Sequence, residues 1–495
     1  MKSLIEKFKN YNPSKYLCYL YFFVPIFMCC ICNVDKENDI WFLLNHGKYI
    51  LNHGFPHLEP FTMHHNFSFV MQQWLSSVIF YISHEVLGQY GILLVILMAN
   101  ILILYSLYKL CMIISENKFR LSIIISCITD VLLLIFMVPR PWIFTMLNLI
   151  LVLYIMELFY KTNNKKVLYF LPLISLLQIN IQSSMWFMLF VFMLPYIVDL
   201  FLKERKRLSS FPIIIVLMFI CGFINPYGID NILYIFNSYG NYYINNVVSE
   251  MQAVSLNINE VSIIYSYLFY VVIAAELLIY IFCRKGKFEL RHLFLFLGVT
   301  FLGLKNIRSM WIFMIGTIPF LASYIKPYFK KLSSKEKNLK LEPDERKKYY
   351  SIIVILVIYT CVVSVIVNSK FTNELEKGID AIYNTYNVTD STTIYTNYDN
   401  GSYAEYRGLK PYIDTRAEVF LKKNNHKEDI MKEYYLVYNG YISYDEFVNK
   451  YKFDYMIIME NERIYDKALK DKNYRLIYHS KKYKYSVFER TIDRK

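Results

Sequence analysis

Through its first 368 residues the chain alternates long apolar runs with short charged connections. The apolar runs cover about 17–32, 90–114, 121–138, 142–160, 167–179, 184–202, 211–224, 263–283, 290–304, 310–325 and 350–367. Each reads as a helix crossing a lipid bilayer, although several fall short of the ~20 residues a full crossing needs. One further segment, 69–87, is apolar enough to be counted with them but carries Gln72, Gln73, Ser76, Ser77, His84 and Glu85. A lipid-exposed helix tolerates few such groups, so this segment reads as an amphipathic helix lying at the membrane interface.

That choice fixes the sidedness. With 69–87 kept out of the bilayer, the lysines before residue 17, Lys118 with Arg120, and the stretches 161–166, 203–207, 284–291 and 326–348 all fall on one side. Basic loops mark the cytoplasmic face. The expected protein is therefore an α-helical, polytopic protein of the cytoplasmic membrane with about eleven spans and a cytoplasmic N-terminus. No small-x-small cleavage site follows the first run, which is expected to remain as a span. A transmembrane domain, 1–368, would carry a large first outer loop at about 34–89, and residues 369–495 would form a second, extracellular domain.

The second domain has a different pattern. It is polar and tyrosine-rich, and Asn400-Gly401 and Asn439-Gly440 are turn formers. Short β-prone runs at 392–396, 455–459, 474–478 and 485–488 alternate with helical patterns at 427–437 and 444–451. A small α/β domain is expected.

Composition agrees with the pattern. Of 495 residues 56% are hydrophobic and 19% charged, and the mean hydropathy is +0.29; a water-soluble fold could not bury that much apolar surface. The formal charge of +14 sits in the short loops where membrane sorting needs it, so it does not argue for nucleic acid. The cysteines lie in apolar stretches, which implies neither a disulfide framework nor a zinc site.

The remaining polar residues gather between spans on the outer side. Asp39 opens the segment DIWFLLNHGKYILNHG, whose apolar spacing and Asn52-His53-Gly54 stop predict a helix with Asp39 in its first turn. It reads as a helix-capping acid or as an acceptor of protons kept ionised by the helix N-terminus. Glu59, His64, His65 and Trp74 follow in the same loop. Adjacent histidines do not converge on a metal, and Trp74 suits an interfacial anchor. Asp35, Glu37 and Asp39 alternate, a spacing open to a divalent cation; no metal ligand set and no cofactor is assigned.

Arg140 stands in a Pro139-Arg140-Pro141 turn against the positive-inside trend, and Lys305 and Arg308 form a second outer cluster. Three cations at headgroup depth suit a phosphate; snorkelling or salt bridges to Asp39 or Glu250 account for them equally. Asn180 and Gln182 interrupt an apolar run. Asn225 and Tyr227 belong to an INPYG turn that opens the outer loop reaching Glu250.

In this order, these residues resemble the GT-C superfamily of polytopic glycosyltransferases, especially the branch near bacterial protein O-mannosyltransferases and the lipid A aminoarabinose transferase. The resemblance rests on Asp39-Ile40-Trp41, the stretch Gly54 to Thr62, Gln73 to Leu75, Arg140-Pro141, Asn180, the NPYG loop, Lys305 with Arg308, and the stretch Tyr398 to Arg416. It departs from the family at Ile181 to Ser184, at Glu250-Met251 and at Glu59, where the family often has aspartate. The resemblance implies transfer of a sugar from a polyprenyl-phosphate carrier to an envelope acceptor (glycan, lipid or protein) outside the membrane. Asp39 would be the base, and Arg140, Lys305 and Arg308 would hold the donor phosphate. Glu59, His64, His65, Trp74, Asn180, Gln182, Asn225, Tyr227 and Glu250 would line the substrates. Two other classes stay open: a flippase or transporter, which calls for inverted repeats and ionisable groups at mid-membrane, and a non-catalytic assembly protein. Asp130, Glu157 and Glu276 are acids within spans, and none has an evident repeat mate.

Overall fold

The computed structural model describes residues 20–30, 37–254, 263–283, 286, 289–329, 351–352, 354–360, 362, 372–385 and 388–491. The chain forms two compact units, each assembled from separated stretches. The first holds Met1–Asn33, Ile92–Ile224 and Ser249–Ser369; the second holds Val34–Gly91, Asn225–Val248 and Lys370–Lys495. The first loop and the 225–248 loop thus pack with the C-terminal segment.

The first unit is helical. Among the described residues six helical stretches are long and apolar enough to cross a membrane by length and composition: Gln89–Ile114, Phe119–Phe136, Trp142–Thr162, Ser183–Lys203, Tyr265–Phe282 and Ile307–Tyr328. Three further expected spans form helices of 12, 12 and 16 residues, Phe170–Ile181, Phe211–Gly222 and Leu290–Lys305. The expected runs 17–32 and 350–367 lie partly outside the described residues.

Burial ranks these helices. The apolar window of Ile307–Tyr328 is 83% buried and that of Tyr265–Phe282 only 17%, so the former lies in the interior of the unit and the latter at its rim. Close approach comes from glycine: a Cβ on Gly222 would stand 2.4 Å from the Trp186 ring, and one on Gly316 would stand 2.5 Å from Val299. Outward-facing Leu94, Met98, Leu173 and Val216 stay exposed, the surface a bilayer would solvate.

The basic connections of this unit converge. Arg207 donates to the carbonyls of Phe159 and Tyr160 at 2.9 and 2.7 Å, Lys165 reaches Ser209 at 3.1 Å, and Lys326 pairs with Glu116 at 3.1 Å. Beside them is a buried charge group absent from the sequence-based candidates. Arg291 holds Glu157 at 2.9 Å and Asp199 at 3.8 Å, with its guanidinium 3.7 Å from the Tyr160 ring centroid. His292 Nε2 lies 2.6 Å from Glu157.

The second unit joins a helical pair to a sheet. The Asp39–His53 helix ends at Gly54, whose φ of +80° suits a residue without a Cβ. It packs on the Trp74–Leu87 helix through Gly47, where a Cβ would meet the Ser77 carbonyl at 2.3 Å. At 14 residues the Trp74–Leu87 helix spans about 21 Å, less than a bilayer core. The sheet has strands β1 (Thr393–Tyr395), β2 (Lys410–Pro411), β3 (Tyr455–Met459), β4 (Tyr474–Ser480) and β5 (Tyr485–Arg490), in the order β2-β1-β3-β5-β4. Strand β1 pairs parallel with β2 and β3, and β5 pairs antiparallel with β3 and β4. The central β3 and β5 are buried along nearly their whole length, whereas β4, at the edge, is buried only at its two ends, Tyr474 and Ser480. The first loop is stitched to this segment by Met63 N–H to Pro411 O (3.2 Å), Ser68 N–H to Asn425 O (3.1 Å) and the Lys410 ammonium to Pro60 O.

Candidate functional site

In the first unit Arg140, Glu250 and Arg308 come together. The Pro139-Arg140-Pro141 turn sets Arg140 just ahead of the Trp142–Thr162 helix, and the guanidinium lies 4.5 Å from the Trp142 ring centroid. Its Nη1 meets both oxygens of Glu250 at 2.8 Å. Glu250 is carried by a loop fixed to the turn after the Leu290–Lys305 helix: Ile307 N–H donates to Gln252 O at 3.0 Å and Val254 N–H to Leu304 O at 3.4 Å. In that turn Asn306 accepts from Ser309 N–H and its hydroxyl at 2.9 and 2.6 Å, which holds Arg308 in place. Burial would raise the Glu250 carboxyl, but Arg140 and then Arg308 outweigh it and hold it below the usual carboxylate range. The Arg308 Nε is buried without a hydrogen-bond partner. Lys305 ends its helix and is exposed.

Asn180 and Gln182 are buried in the same unit and serve the helix packing. Asn180 donates to the Leu176 and Ile224 carbonyls at 2.8 and 2.9 Å. Gln182 Oε1 accepts from Thr145 at 2.8 Å, Thr145 Oγ1 accepts from Gln178 at 2.9 Å, and Gln178 Oε1 accepts from Asn148 at 2.8 Å. These polar groups satisfy one another inside an apolar bundle, where an unpaired one is costly.

In the second unit Asp39 is the first residue of its helix, half-buried, and lies within electrostatic reach of Tyr398. The other first-loop candidates separate by environment. Glu59 is buried with internal partners: it accepts from Phe61 N–H (3.1 Å), Thr62 N–H (2.8 Å) and the Thr62 hydroxyl (2.6 Å), and pairs with Arg416 at 3.0 Å. His64 Nε2 lies 2.8 Å from Tyr412 O and its ring stacks on Phe67; burial lowers its pKa. His65 is exposed. Trp74 meets the Phe55 ring edge-on at 5.2 Å. Asn225 ties the INPYG turn by accepting from Tyr227 N–H at 2.9 Å, and the buried Tyr227 hydroxyl donates to Pro56 O at 3.2 Å.

Around Glu59 the structure assembles a group that sequence reading missed. Arg416 contacts Asp414, Glu405 (3.1 Å) and Glu59, and its Nη1 lies 3.0 Å from His46 Nε2. Asn45 donates to Glu405 at 2.8 Å. Burial pushes the Glu405 carboxyl up to about 8, against the pull of Arg416. Three carboxylates on one guanidinium favour keeping one of them protonated. Glu405, Asp414 and Arg416 were visible as charges in the stretch Tyr398 to Arg416, but nothing in their spacing announced that they would close on Glu59 and His46. Among the described residues no group of three or more His, Cys, Asp and Glu side chains converges to hold a metal ion; Asp35 lies outside them.

No family model and no curated protein matches the sequence. Solved structures match by fold. The oligosaccharyltransferase of Archaeoglobus fulgidus, tethered with an acceptor peptide containing the NVT sequon, superposes with a TM-score of 0.54 at 12% identity, covering 90% of this chain and 69% of its own. The apo form of that protein gives 0.47 at 11% identity, with 90% and 70% covered. ArnT from Cupriavidus metallidurans bound to undecaprenyl phosphate gives 0.43 at 9% identity, with 95% and 96% covered. The first of these matches shows that this chain shares the fold of that oligosaccharyltransferase.

Proposed function

We propose that this chain is a membrane glycosyltransferase of the GT-C type that moves a sugar from a polyprenyl-phosphate carrier to an envelope acceptor on the outer side of the cytoplasmic membrane. The observation that carries this reading is the arginine pair of the first unit. Arg140 pairs with Glu250 and Arg308 lies within electrostatic reach of the same carboxylate, at the ends of apolar helices, where an anionic lipid headgroup would arrive. Fold likeness alone does not assign chemistry.

In the proposed reaction an acceptor hydroxyl oxygen attacks the anomeric carbon from the face opposite the phosphate. Asp39 takes the hydroxyl proton. The bond between the anomeric carbon and the phosphate oxygen breaks with its electron pair passing to that oxygen, and the sugar leaves with inverted configuration. Arg140 and Arg308 stabilise the charge that develops on the departing phosphate, an effect that grows in a site from which water is excluded. Lys305 adds a longer-range positive field.

The test is Asp39→Asn in full-length protein reconstituted in lipid nanodiscs with a panel of polyprenyl-phospho-sugars. Loss of a positioned base lowers turnover about 10²–10⁴-fold with little change in donor affinity. Equal turnover by variant and parent removes the base assignment. Arg140→Gln and Arg308→Gln test the phosphate ligands separately, through donor affinity.

A further inference from the structure

The Ile229–Ser238 helix is amphipathic, but it turns its polar face inward. Asn231 and Tyr234 are buried, whereas Ile229, Leu233 and Phe236 are 55%, 50% and 60% exposed. Steps of four and three residues place those three on one face of the helix. A helix on a water-facing surface does the reverse and sends its apolar stripe to the core, so an apolar medium suits this one. Its ten residues extend about 15 Å, half the hydrocarbon core of a bilayer, so it can lie on a membrane but not cross it. The chain reaches it from Phe223 and Ile224, exposed apolar residues that close the expected span 211–224.

Lysines border the stripe. Asn424 donates to the Ser238 hydroxyl at 2.9 Å and Asn237 to the Lys423 carbonyl at 3.3 Å, which fixes the short Lys422–Asn425 helix against the C-terminal end of this one. Lys422 and Lys423 are both exposed. The single acid of the Ile229–Ser238 helix, Asp230, stands in the first turn, at the other end. An apolar stripe edged by lysines is the pattern of a helix resting in the headgroup layer of an anionic bilayer, its stripe among the acyl chains and its cations at the phosphates. We propose that the Ile229–Ser238 helix, with Lys422 and Lys423 at its edge, docks the second unit on an anionic lipid surface. This goes beyond the transfer reading and holds whether or not the protein moves a sugar.

The test places the photocrosslinker p-benzoylphenylalanine at position 233 of the full chain, in nanodiscs of equal phosphatidylcholine and phosphatidylglycerol, and identifies the adducts by mass spectrometry. Phospholipid adducts are expected, with phosphatidylglycerol enriched about fivefold, the factor that one lysine near a charged lipid surface contributes. Lys422→Gln combined with Lys423→Gln should bring that ratio back to the composition of the bilayer while phospholipid adducts persist. Adducts to a second copy of this chain in place of lipid, or no adduct on irradiation, overturn the proposal. So does a phosphatidylglycerol share that is not enriched, or one that the double lysine change leaves untouched. Position 233 and both lysines are exposed, so the changes remove no core contact; should the first variant fail to fold, position 236 gives the same readout. No sugar donor is present and no turnover is measured, so these outcomes are separate from those of the transfer experiment.

Discussion

His46 Nε2 faces Arg416 Nη1 at 3.0 Å. A guanidinium only donates, so this ring nitrogen accepts, and the imidazole is neutral with its proton on Nδ1. Burial and then the Arg416 charge hold the His46 pKa well below 6.5. In the unfolded chain the ring protonates near its ordinary value, so the stability tied to neutral His46 is fully present above about pH 6.5 and is lost as pH falls toward the folded value. Acidification from pH 7 to 5 should lower the thermal transition of the parent more than that of His46→Gln, whose amide cannot ionise. Hydrogen exchange across residues 39–53 would report the same loss locally.

Glu405 titrates in the opposite sense. Its folded pKa, about 8 against an ordinary 4.5, means that the folded protein holds a proton the unfolded chain has lost. That stabilisation is complete below about pH 4.5 and disappears as pH rises through 8. Glu405→Gln mimics the protonated acid at every pH, so its transition temperature should match the parent's at pH 5 and exceed it at pH 8. Parallel melting curves across that range would show that Glu405 is ionised throughout.

The Asp39–His53 helix, its Gly54 stop and most strands of the sheet were readable because local signals agreed: period, stop residues and β-branched or tyrosine-rich runs. Strand β2 escaped because two residues ending in Pro411 carry no strand signal; its place comes from pairing with β1. Arg140 and Arg308 were readable as exceptions because each departs from the charge pattern expected of its loop. The Thr145–Gln178–Gln182 network was not, since periodicity cannot tell a polar residue facing another helix from one left in an apolar stretch. The pairing of Glu59 was hidden for a related reason: its partner Arg416 lies in a distant segment, and only tertiary structure brings the two together.

The buried pair of Glu157 and Arg291 joins the Trp142–Thr162 helix to the Leu290–Lys305 helix. Removing one partner leaves the other charge buried with fewer counter-groups, His292 for Glu157 and Asp199 and Glu289 for Arg291, and should destabilise the protein by at most about 3–5 kcal/mol. Replacing both by methionine should lose less than the sum of the single changes, because Lys203 still neutralises Asp199 at 2.7 Å. Unfolding curves for Glu157→Met, Arg291→Met and the double variant give the coupling directly. Additive losses would mean that the two groups act independently.

Sidedness has its own check. Lys206 and Asp445 are both exposed, and the charge pattern sends the first to the cytoplasm and the second outside. In intact cells a membrane-impermeant maleimide should label Asp445→Cys at once and Lys206→Cys only after permeabilisation, measured over the background of the native cysteines. Labelling of both in intact cells would invert the loop assignment.

Because the second unit draws on three stretches of chain separated by apolar helices, ribosomal order works against it. Glu59 and His46 leave the ribosome long before Arg416 exists, so the first loop must wait, incompletely folded, while the helical segments are inserted. A nascent chain stalled before residue 410 would expose that loop to proteases, and maturation of the whole protein would hinge on its last quarter being made.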